Sequence, residues 1–245
     1  MQDPDHGPFA QRSRQVVGLP AQIVASALGG LVGMQVLRLG GVPGMAAEWA
    51  VASAGFVALS ALILGQMRRA YPHARIGGCN AVTLLRAAIV CALIAPLLAG
   101  HAAGWTVAAA ALAALALDGV DGWLARRSGL VSDFGARFDM EVDAAFALVL
   151  ALHVWLGTAL GPQVLLLGLA RYGFVAAAAL LPWLRAPLPQ RFRRKLICVL
   201  QIAALIGLQT PVLTGGAAMV LAWAALAAVI CSFAVDIRWL WRRRA

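Results

Sequence analysis

The sequence predicts an all-α fold, a polytopic membrane helical bundle of about eight transmembrane helices. Its 245 residues are 62% hydrophobic and only 12% charged, with a mean hydropathy of +0.84. Soluble domains are closer to half apolar and about a quarter charged. The apolar residues also run in stretches of roughly 20, which is long enough for a helix to cross a bilayer core of about 30 Å. These observations favour a membrane protein over a soluble domain with a large core.

Eight apolar segments follow one another along the chain, and each is a predicted transmembrane helix. They lie at about 17–37, 47–66, 81–99, 104–125, 139–157, 163–184, 196–212 and 215–236. A basic connector containing Pro and Gly, residues 68–78, separates the first two segments from the rest. We therefore expect an N-terminal region of two accessory helices, residues 1–78, and a six-helix core, residues 79–245.

The charge of the connectors predicts how the helices are oriented in the membrane. Of the 20 Lys and Arg residues, 18 lie in or beside connectors on one side of the predicted bilayer. Cytoplasmic loops carry such an excess of basic residues. Anionic membrane lipids, rather than nucleic acid, are the partner that this pattern favours. We expect a multi-pass protein of a bacterial-type inner membrane, with both termini cytoplasmic and no nucleic-acid partner.

The acidic residues are concentrated in one short part of the chain. Six of the ten lie between residues 118 and 143, at the cytoplasmic ends of the fourth and fifth predicted helices. Asp118 and Asp121 are three residues apart, and Asp139 and Asp143 are four apart. Both spacings place a pair on one face of a helix. Carboxylate ligands without His or Cys suit Mg²⁺ or Mn²⁺ rather than zinc, so the spacing predicts a divalent-metal site.

The same acids could instead form ion pairs at a solvated helix end. Their basic neighbours are Arg126, Arg127 and Arg137. Three glycines beside the acids favour a ligand over this alternative. They are Gly119, Gly122 and Gly135. Gly in a helix interior costs about 1 kcal/mol relative to Ala, so its repeated use indicates close approach of a ligand or of a neighbouring helix backbone.

Residues 118–143 resemble the signature of the CDP-alcohol phosphotransferases. That signature is D-x-x-D-G-x-x-A-R, eight residues, then G-x-x-x-D-x-x-x-D, and all eight specified residues are present at the right spacing. They are Asp118, Asp121, Gly122, Ala125, Arg126, Gly135, Asp139 and Asp143. Residues 80–86 also resemble the N-x-x-T-x-x-R start that is common in the family. The family fold has a six-helix core with the signature on its second and third helices.

The resemblance implies a phospholipid-synthesis enzyme that needs Mg²⁺ or Mn²⁺. A group carried on CDP would pass to a hydroxyl acceptor with release of CMP, and we expect CDP-diacylglycerol as the donor and a homodimer as the assembly. By resemblance the metal ligands are Asp118, Asp121, Asp139 and Asp143, and Asp143 is also the candidate catalytic residue. By resemblance the CDP-binding residues are Asn80, Thr83, Gly122, Ala125 and Arg126.

Four basic residues are candidates for binding the acceptor or a phosphate. They are Arg137, Arg171, Arg193 and Lys195. Arg171 lies inside the sixth predicted helix, where an arginine costs about 2.5 kcal/mol or more. Ion pairing or anchoring at the membrane surface is the alternative for each of the four. The acceptor alcohol does not follow from the signature. Ala144 stands where bacterial glycerol-phosphate enzymes of the family often carry Lys, which lowers that assignment.

Two other classes of protein compete with the enzyme. A transporter could place acidic residues in a cation pathway, but such sites lie near the bilayer midplane and often between repeated halves. Here the acids lie near a helix end and occur in a single copy. A non-catalytic relative of the family is the second alternative. Loss of one of the four signature aspartates would indicate it, and none is lost.

Overall fold

The computed structural model describes the backbone of residues 8–73, 75–128, 132–186, 188 and 192–243, with side chains from residue 18 onward except 121–128. All regular structure in these residues is helical, which confirms the predicted fold class. The described residues form nine α-helices: α1 (Pro8–Leu39), α2 (Ala46–Ala70), α3 (Gly77–Ala92), α4 (Ile94–Leu98), α5 (Trp105–Ser128), α6 (Asp133–Gly157), α7 (Leu165–Leu180), α8 (Phe192–Leu208) and α9 (Gly215–Trp241). Short 3-10 helices, Pro162–Val164 and Pro182–Arg185, flank α7.

Each of the eight predicted segments falls on a helix, and the differences have physical reasons. The third segment is divided between α3 and α4. Pro96 explains the break, because it has no amide hydrogen and its ring would clash with the carbonyl of Ala92 in a continuous helix. The fifth segment begins at Asp133 rather than at 139. A carboxylate is favourable in the first turn of a helix, so α6 extends beyond the apolar stretch that predicted it.

Six helical stretches of the described chain are long and apolar enough to cross a membrane. They are Gly18–Leu39, Ala46–Ala70, Gly77–Leu98, Asp133–Gly157, Pro162–Leu180 and Gly215–Trp241. The apolar part of α5, Trp105–Val120, and the 17-residue α8 are shorter. The prediction of a multi-pass membrane protein is therefore confirmed.

The chain divides into two compact units, and the first comprises Met1–Ala95 and Ala116–Val142. In this unit α1 packs against both α2 and α3, and α2 also packs against α3. A side chain at Gly30 of α1 would meet the ring of Phe56 at 2.5 Å and the Cβ atom of Ala88 at 3.1 Å. Small residues therefore allow these helices to approach closely, as they do in membrane bundles generally.

The second unit comprises Pro96–Leu115 and Asp143–Ala245. Within it α8 packs along α9, and α7 also contacts α9. Gly168 of α7 lies directly on the backbone of α6. A Cβ atom there would be 2.6 Å from Cα of Leu148 and 3.1 Å from the carbonyl oxygen of Ala147.

We expect Gly168→Ala to lower the free energy of unfolding by about 1–3 kcal/mol, because the added methyl group has to push two helix backbones apart. The intrinsic preference of Ala for helix, about 1 kcal/mol, acts in the opposite direction. Thermal unfolding of the purified protein in detergent measures the difference.

Gly173→Ala is the matched control, because Gly173 lies on the same helix and no described atom is within 4 Å of its Cβ position. Its Tm should be equal to or above that of the unsubstituted protein. Equal losses of Tm in the two variants would contradict the close approach at Gly168.

Candidate functional site

The first unit brings together carboxylates from two helices. Asp118 lies in the second half of α5 and Asp139 lies in α6, and an oxygen of one side chain is within 4.8 Å of an oxygen of the other. Their side chains are 17% and 38% exposed. Asp143 follows Asp139 by one turn on α6 and begins the part of this helix that belongs to the second unit. Such closely spaced oxygens are the ligands that hard divalent cations prefer.

A buried arginine on α3 connects the first two of these carboxylates. Arg86 is 1% exposed, and its Nη1 atom lies 2.9 Å from Oδ1 of Asp118 and 2.6 Å from Oδ1 of Asp139. A single guanidinium nitrogen therefore links α3, α5 and α6 in this unit. A buried charge needs such partners, because its desolvation costs several kcal/mol.

The arginine in this ion pair is not one of those that the sequence suggested as partners of the acidic residues. The predicted partners were Arg126, Arg127 and Arg137. Arg137 is exposed, and the side chains of the other two lie outside those that are described. The sequence did carry a signal for Arg86, which is the one charged residue between positions 77 and 98. Arg86 is also the last residue of the family-like N-x-x-T-x-x-R start, but neither feature predicted its contacts with two aspartates.

The carboxylates fit a divalent cation even with Arg86 in place. Each ionised carboxylate has two oxygens and about four lone-pair directions. Arg86 contacts one oxygen of Asp118 and one of Asp139, and one carboxylate can bind an arginine and a cation together. The donor set is oxygen only, which favours Mg²⁺ or Mn²⁺.

The polar residues of α3 lie on the same helical face as Arg86. Asn80 and Thr83 are each 2% exposed, and the hydroxyl of Thr83 donates a hydrogen bond to the carbonyl oxygen of Cys79 at 3.0 Å. A Cβ atom at Gly135 would be 2.8 Å from Oδ1 of Asn80. Gly135 was predicted to lie in the connector between two helices, but it belongs to the first turn of α6. Its missing side chain gives α6 room beside α3.

For four further signature residues the structure describes the backbone only. Asp121, Gly122, Ala125 and Arg126 belong to α5, but their side chains lie outside those that are described. No described atom lies within 4 Å of a Cβ position at Gly119. The expected approach of a neighbouring helix backbone is therefore not found there, and the space is open to a ligand.

The basic candidates for the acceptor differ in their surroundings. Arg137 and Lys195 are exposed, and Arg171 is half-buried on α7. Arg193 of α8 contacts α9, with Nη2 2.7 Å from Oδ1 of Asp236 and Nη1 2.9 Å from the hydroxyl of Ser232. The neighbouring Arg194 lies 3.3 Å from the other oxygen of Asp236.

Asp236 was not among the predicted site residues. It is the one acidic residue of the last helix, so spacing gave no sign of its contacts. Its pairing gives Arg193 a structural role in joining α8 to α9.

The second unit contains a cavity of about 650 Å³ among loops that follow α6 and α8. Gly104, Thr158, Gln209 and Met219 are among the residues that line it. No charged residue of the described chain lines this cavity.

The described chain is a multi-pass helical protein in which carboxylates from two helices lie close together. A model of the CDP-alcohol phosphatidyltransferase family matches residues 78–231, which include the signature and the start of α3. The chain belongs to this family, and its general class is that of a membrane phosphotransferase. Comparisons with curated proteins and with solved structures found no match.

Proposed function

We propose that this protein transfers a phosphatidyl or other phospho-alcohol group from a CDP-linked donor to a hydroxyl acceptor and releases CMP. CDP-diacylglycerol is the donor that we favour, and a membrane phospholipid is the product. The observation that carries the proposal is the close approach of carboxylates from α5 and α6 within the matched region. Six apolar helices of the described chain support a lipid substrate.

The proposed cofactor is Mg²⁺ or Mn²⁺, held by signature carboxylates. The ligands would be Asp118, Asp121, Asp139 and Asp143. When bound, the cation supplies positive charge that stabilises the pyrophosphate and the leaving CMP. The chain's own contribution is orientation, because Arg86 fixes one oxygen of Asp118 and one of Asp139 at 2.9 and 2.6 Å.

Asp143 is the proposed catalytic residue. Its carboxylate would accept a hydrogen bond from the acceptor hydroxyl and aim the oxygen at the phosphorus. A phosphorus–oxygen bond to the acceptor forms while the bond to the CMP oxygen breaks, CMP leaves with that electron pair, and the hydroxyl proton passes through Asp143 to water. Nearby positive charge favours an ionised carboxylate and weakens it as a base. Orientation of the hydroxyl is therefore a larger part of this role than removal of its proton.

Two further sets of residues would bind the substrates. Those proposed for CDP are Asn80, Thr83, Gly122, Ala125 and Arg126. Those proposed for the acceptor or a phosphate are Arg137, Arg171, Arg193 and Lys195. The ion pair of Arg193 with Asp236 makes it the weakest member of the second set.

The proposed setting is a bacterial-type inner membrane, with both termini and the active site cytoplasmic. The concentration of basic residues in alternate connectors supports this orientation. Residues 79–245 would form the six-helix family core, preceded by the N-terminal region 1–78. A homodimer is the proposed assembly.

Release of CMP by the purified protein in detergent tests the proposed function. The assay contains CDP-diacylglycerol, Mg²⁺ or Mn²⁺, and a panel of hydroxyl acceptors. We expect metal-dependent CMP release with one acceptor and its loss in Asp121→Asn, because this substitution removes a proposed charged ligand. The acceptor that supports release also identifies the product lipid.

Binding measurements separate the ways in which the assay could fail. Metal and CDP-lipid binding without CMP release, for every acceptor, would point to a different donor or acceptor. Absence of binding as well would reject the enzyme and favour a non-catalytic family member. Full activity in Asp121→Asn would contradict the proposed metal site.

A further inference from the structure

The two N-terminal helices contact the start of α3, where the first family-like residues lie. Gln22 of α1 accepts a hydrogen bond, through Oε1, from the backbone amide of Ile76 at 3.0 Å. Tyr71, directly after α2, donates its hydroxyl hydrogen to the carbonyl oxygen of Ile76 at 3.0 Å. Gln22 and Tyr71 lie outside the region that matches the family model, which begins at residue 78. Both therefore hold the segment that leads into the matched region.

Tyr71 also contacts Asn80 directly. The amide nitrogen of Asn80, Nδ2, lies 2.9 Å from the Tyr71 hydroxyl oxygen and 2.7 Å from the carbonyl oxygen of Ile76. A carbonyl oxygen only accepts hydrogen bonds, so the side-chain atom facing Ile76 has to be the donor nitrogen. Both amide hydrogens of Asn80 are then engaged, and Oδ1 points towards Gly135.

The Tyr71 hydroxyl carries its proton at neutral pH, and burial raises its pKa further. Desolvation is the main reason that the pKa of Tyr71 lies above its ordinary value of 10.0, and the thiol of Cys79 adds to the shift. The hydrogen bond from Asn80 acts in the opposite direction. At neutral pH the phenol keeps its proton, so it can donate to Ile76 while it accepts from Asn80.

We propose that Gln22 and Tyr71 are positioning residues of the nucleotide site, through which the N-terminal helices fix the orientation of Asn80. The inference rests on the proposed function, in which Asn80 binds the CDP moiety. With its amide hydrogens engaged, Asn80 holds Oδ1 beside Gly135 in the first turn of α6, and an amino or hydroxyl group of the nucleotide would donate to Oδ1 there. The N-terminal helices are then part of the substrate site rather than a separate membrane anchor.

Steady-state CMP release with varied CDP-diacylglycerol tests the inference. We expect Tyr71→Phe to raise KM for the donor roughly tenfold with kcat little changed, because a freed Asn80 amide binds the nucleotide less well. Tyr71→Phe keeps the ring contacts with His73 and Phe134. Gln22→Leu should raise KM similarly, whereas Gln22→Glu, which retains an acceptor oxygen for the Ile76 amide, should keep KM near the original value.

Gln201→Leu is the matched control for a purely structural effect. Gln201 of α8 also bridges two helices, donating from Nε2 to the carbonyl oxygen of Leu167 at 2.7 Å. Its loss should lower the Tm about as much as Gln22→Leu and leave KM unchanged. A lower Tm with unchanged KM in both Tyr71→Phe and Gln22→Leu would overturn the inference.

Binding of CDP, measured by calorimetry in detergent with Mg²⁺, separates this inference from the proposed function. Affinity should fall in Tyr71→Phe and Gln22→Leu in parallel with the rise in KM. If the unsubstituted protein binds CDP and the variants bind it equally well, the inference is wrong and the proposed function stands. If the unsubstituted protein neither binds CDP nor releases CMP, both are wrong.

Discussion

Replacing Arg86 by methionine is expected to lower the free energy of unfolding by about 3–5 kcal/mol in the absence of divalent cations. Arg86 is 1% exposed and contacts both Asp118 and Asp139. Methionine fills a similar volume but leaves two neighbouring carboxylates without the positive charge between them. Their mutual repulsion and incomplete solvation then act against the folded state.

A divalent cation should stabilise Arg86→Met more than it stabilises the unsubstituted protein. The cation would replace the missing positive charge between Asp118 and Asp139. Ligand binding to the folded state alone at about 100 times Kd adds about 2.7 kcal/mol. Thermal unfolding with and without Mg²⁺ measures the difference for both proteins.

Arg38→Met controls for the loss of a positive charge as such. Arg38 is exposed in the last turn of α1, and substitutions at exposed positions change stability by about 0.5 kcal/mol or less. If Arg86→Met matched this control without metal, the buried ion pair would not stabilise the fold. If Mg²⁺ stabilised the variant and the unsubstituted protein equally, Arg86 would not influence binding at the proposed metal site.

The fold followed from the sequence because membrane insertion imposes long apolar stretches, and these are visible without tertiary information. The ends of the helices were predicted less accurately than their number and order. Hydropathy placed the start of the fifth helix at 139, whereas α6 begins at Asp133 with a polar first turn. Polar residues can continue a helix beyond the apolar core, and their hydropathy does not distinguish a helix end from a loop.

The candidate site could be predicted where its residues are neighbours in sequence. Spacing along α5 and α6 predicted two groups of carboxylates, and the family signature linked them. Arg86 is 53 residues from Asp139, and Gln22 is 54 residues from Ile76. Such contacts depend on how helices pack, which one sequence does not specify. The isolated charge of Arg86 in an apolar helix was a usable signal, whereas Gln22 and Tyr71 carried none.

Asp139→Asn is expected to lower turnover by about 100-fold or more, while the free energy of unfolding changes less than in Arg86→Met. The substituted amide has no charge to offer a cation, but its oxygen can still accept a hydrogen bond from Arg86. Asp118 also keeps its own contact with Arg86, at 2.9 Å. CMP release and thermal unfolding, measured on the same preparation, test the two halves of this expectation.

Asp133→Asn makes the same chemical change at an exposed position on the same helix, outside the family signature. Its turnover should be unchanged, and its stability should fall by at most about 1 kcal/mol through the lost favourable interaction with the helix N-terminus. Mn²⁺ binding, followed by electron paramagnetic resonance, should weaken in Asp139→Asn and not in Asp133→Asn. If Asp139→Asn lost stability as severely as Arg86→Met but bound Mn²⁺ normally, Asp139 would serve the buried ion pair and not the metal. A large loss of turnover, weakened Mn²⁺ binding and a modest change in stability would instead place Asp139 among the metal ligands. Loss of an ion pair alone would lower stability without a matching loss of Mn²⁺ binding.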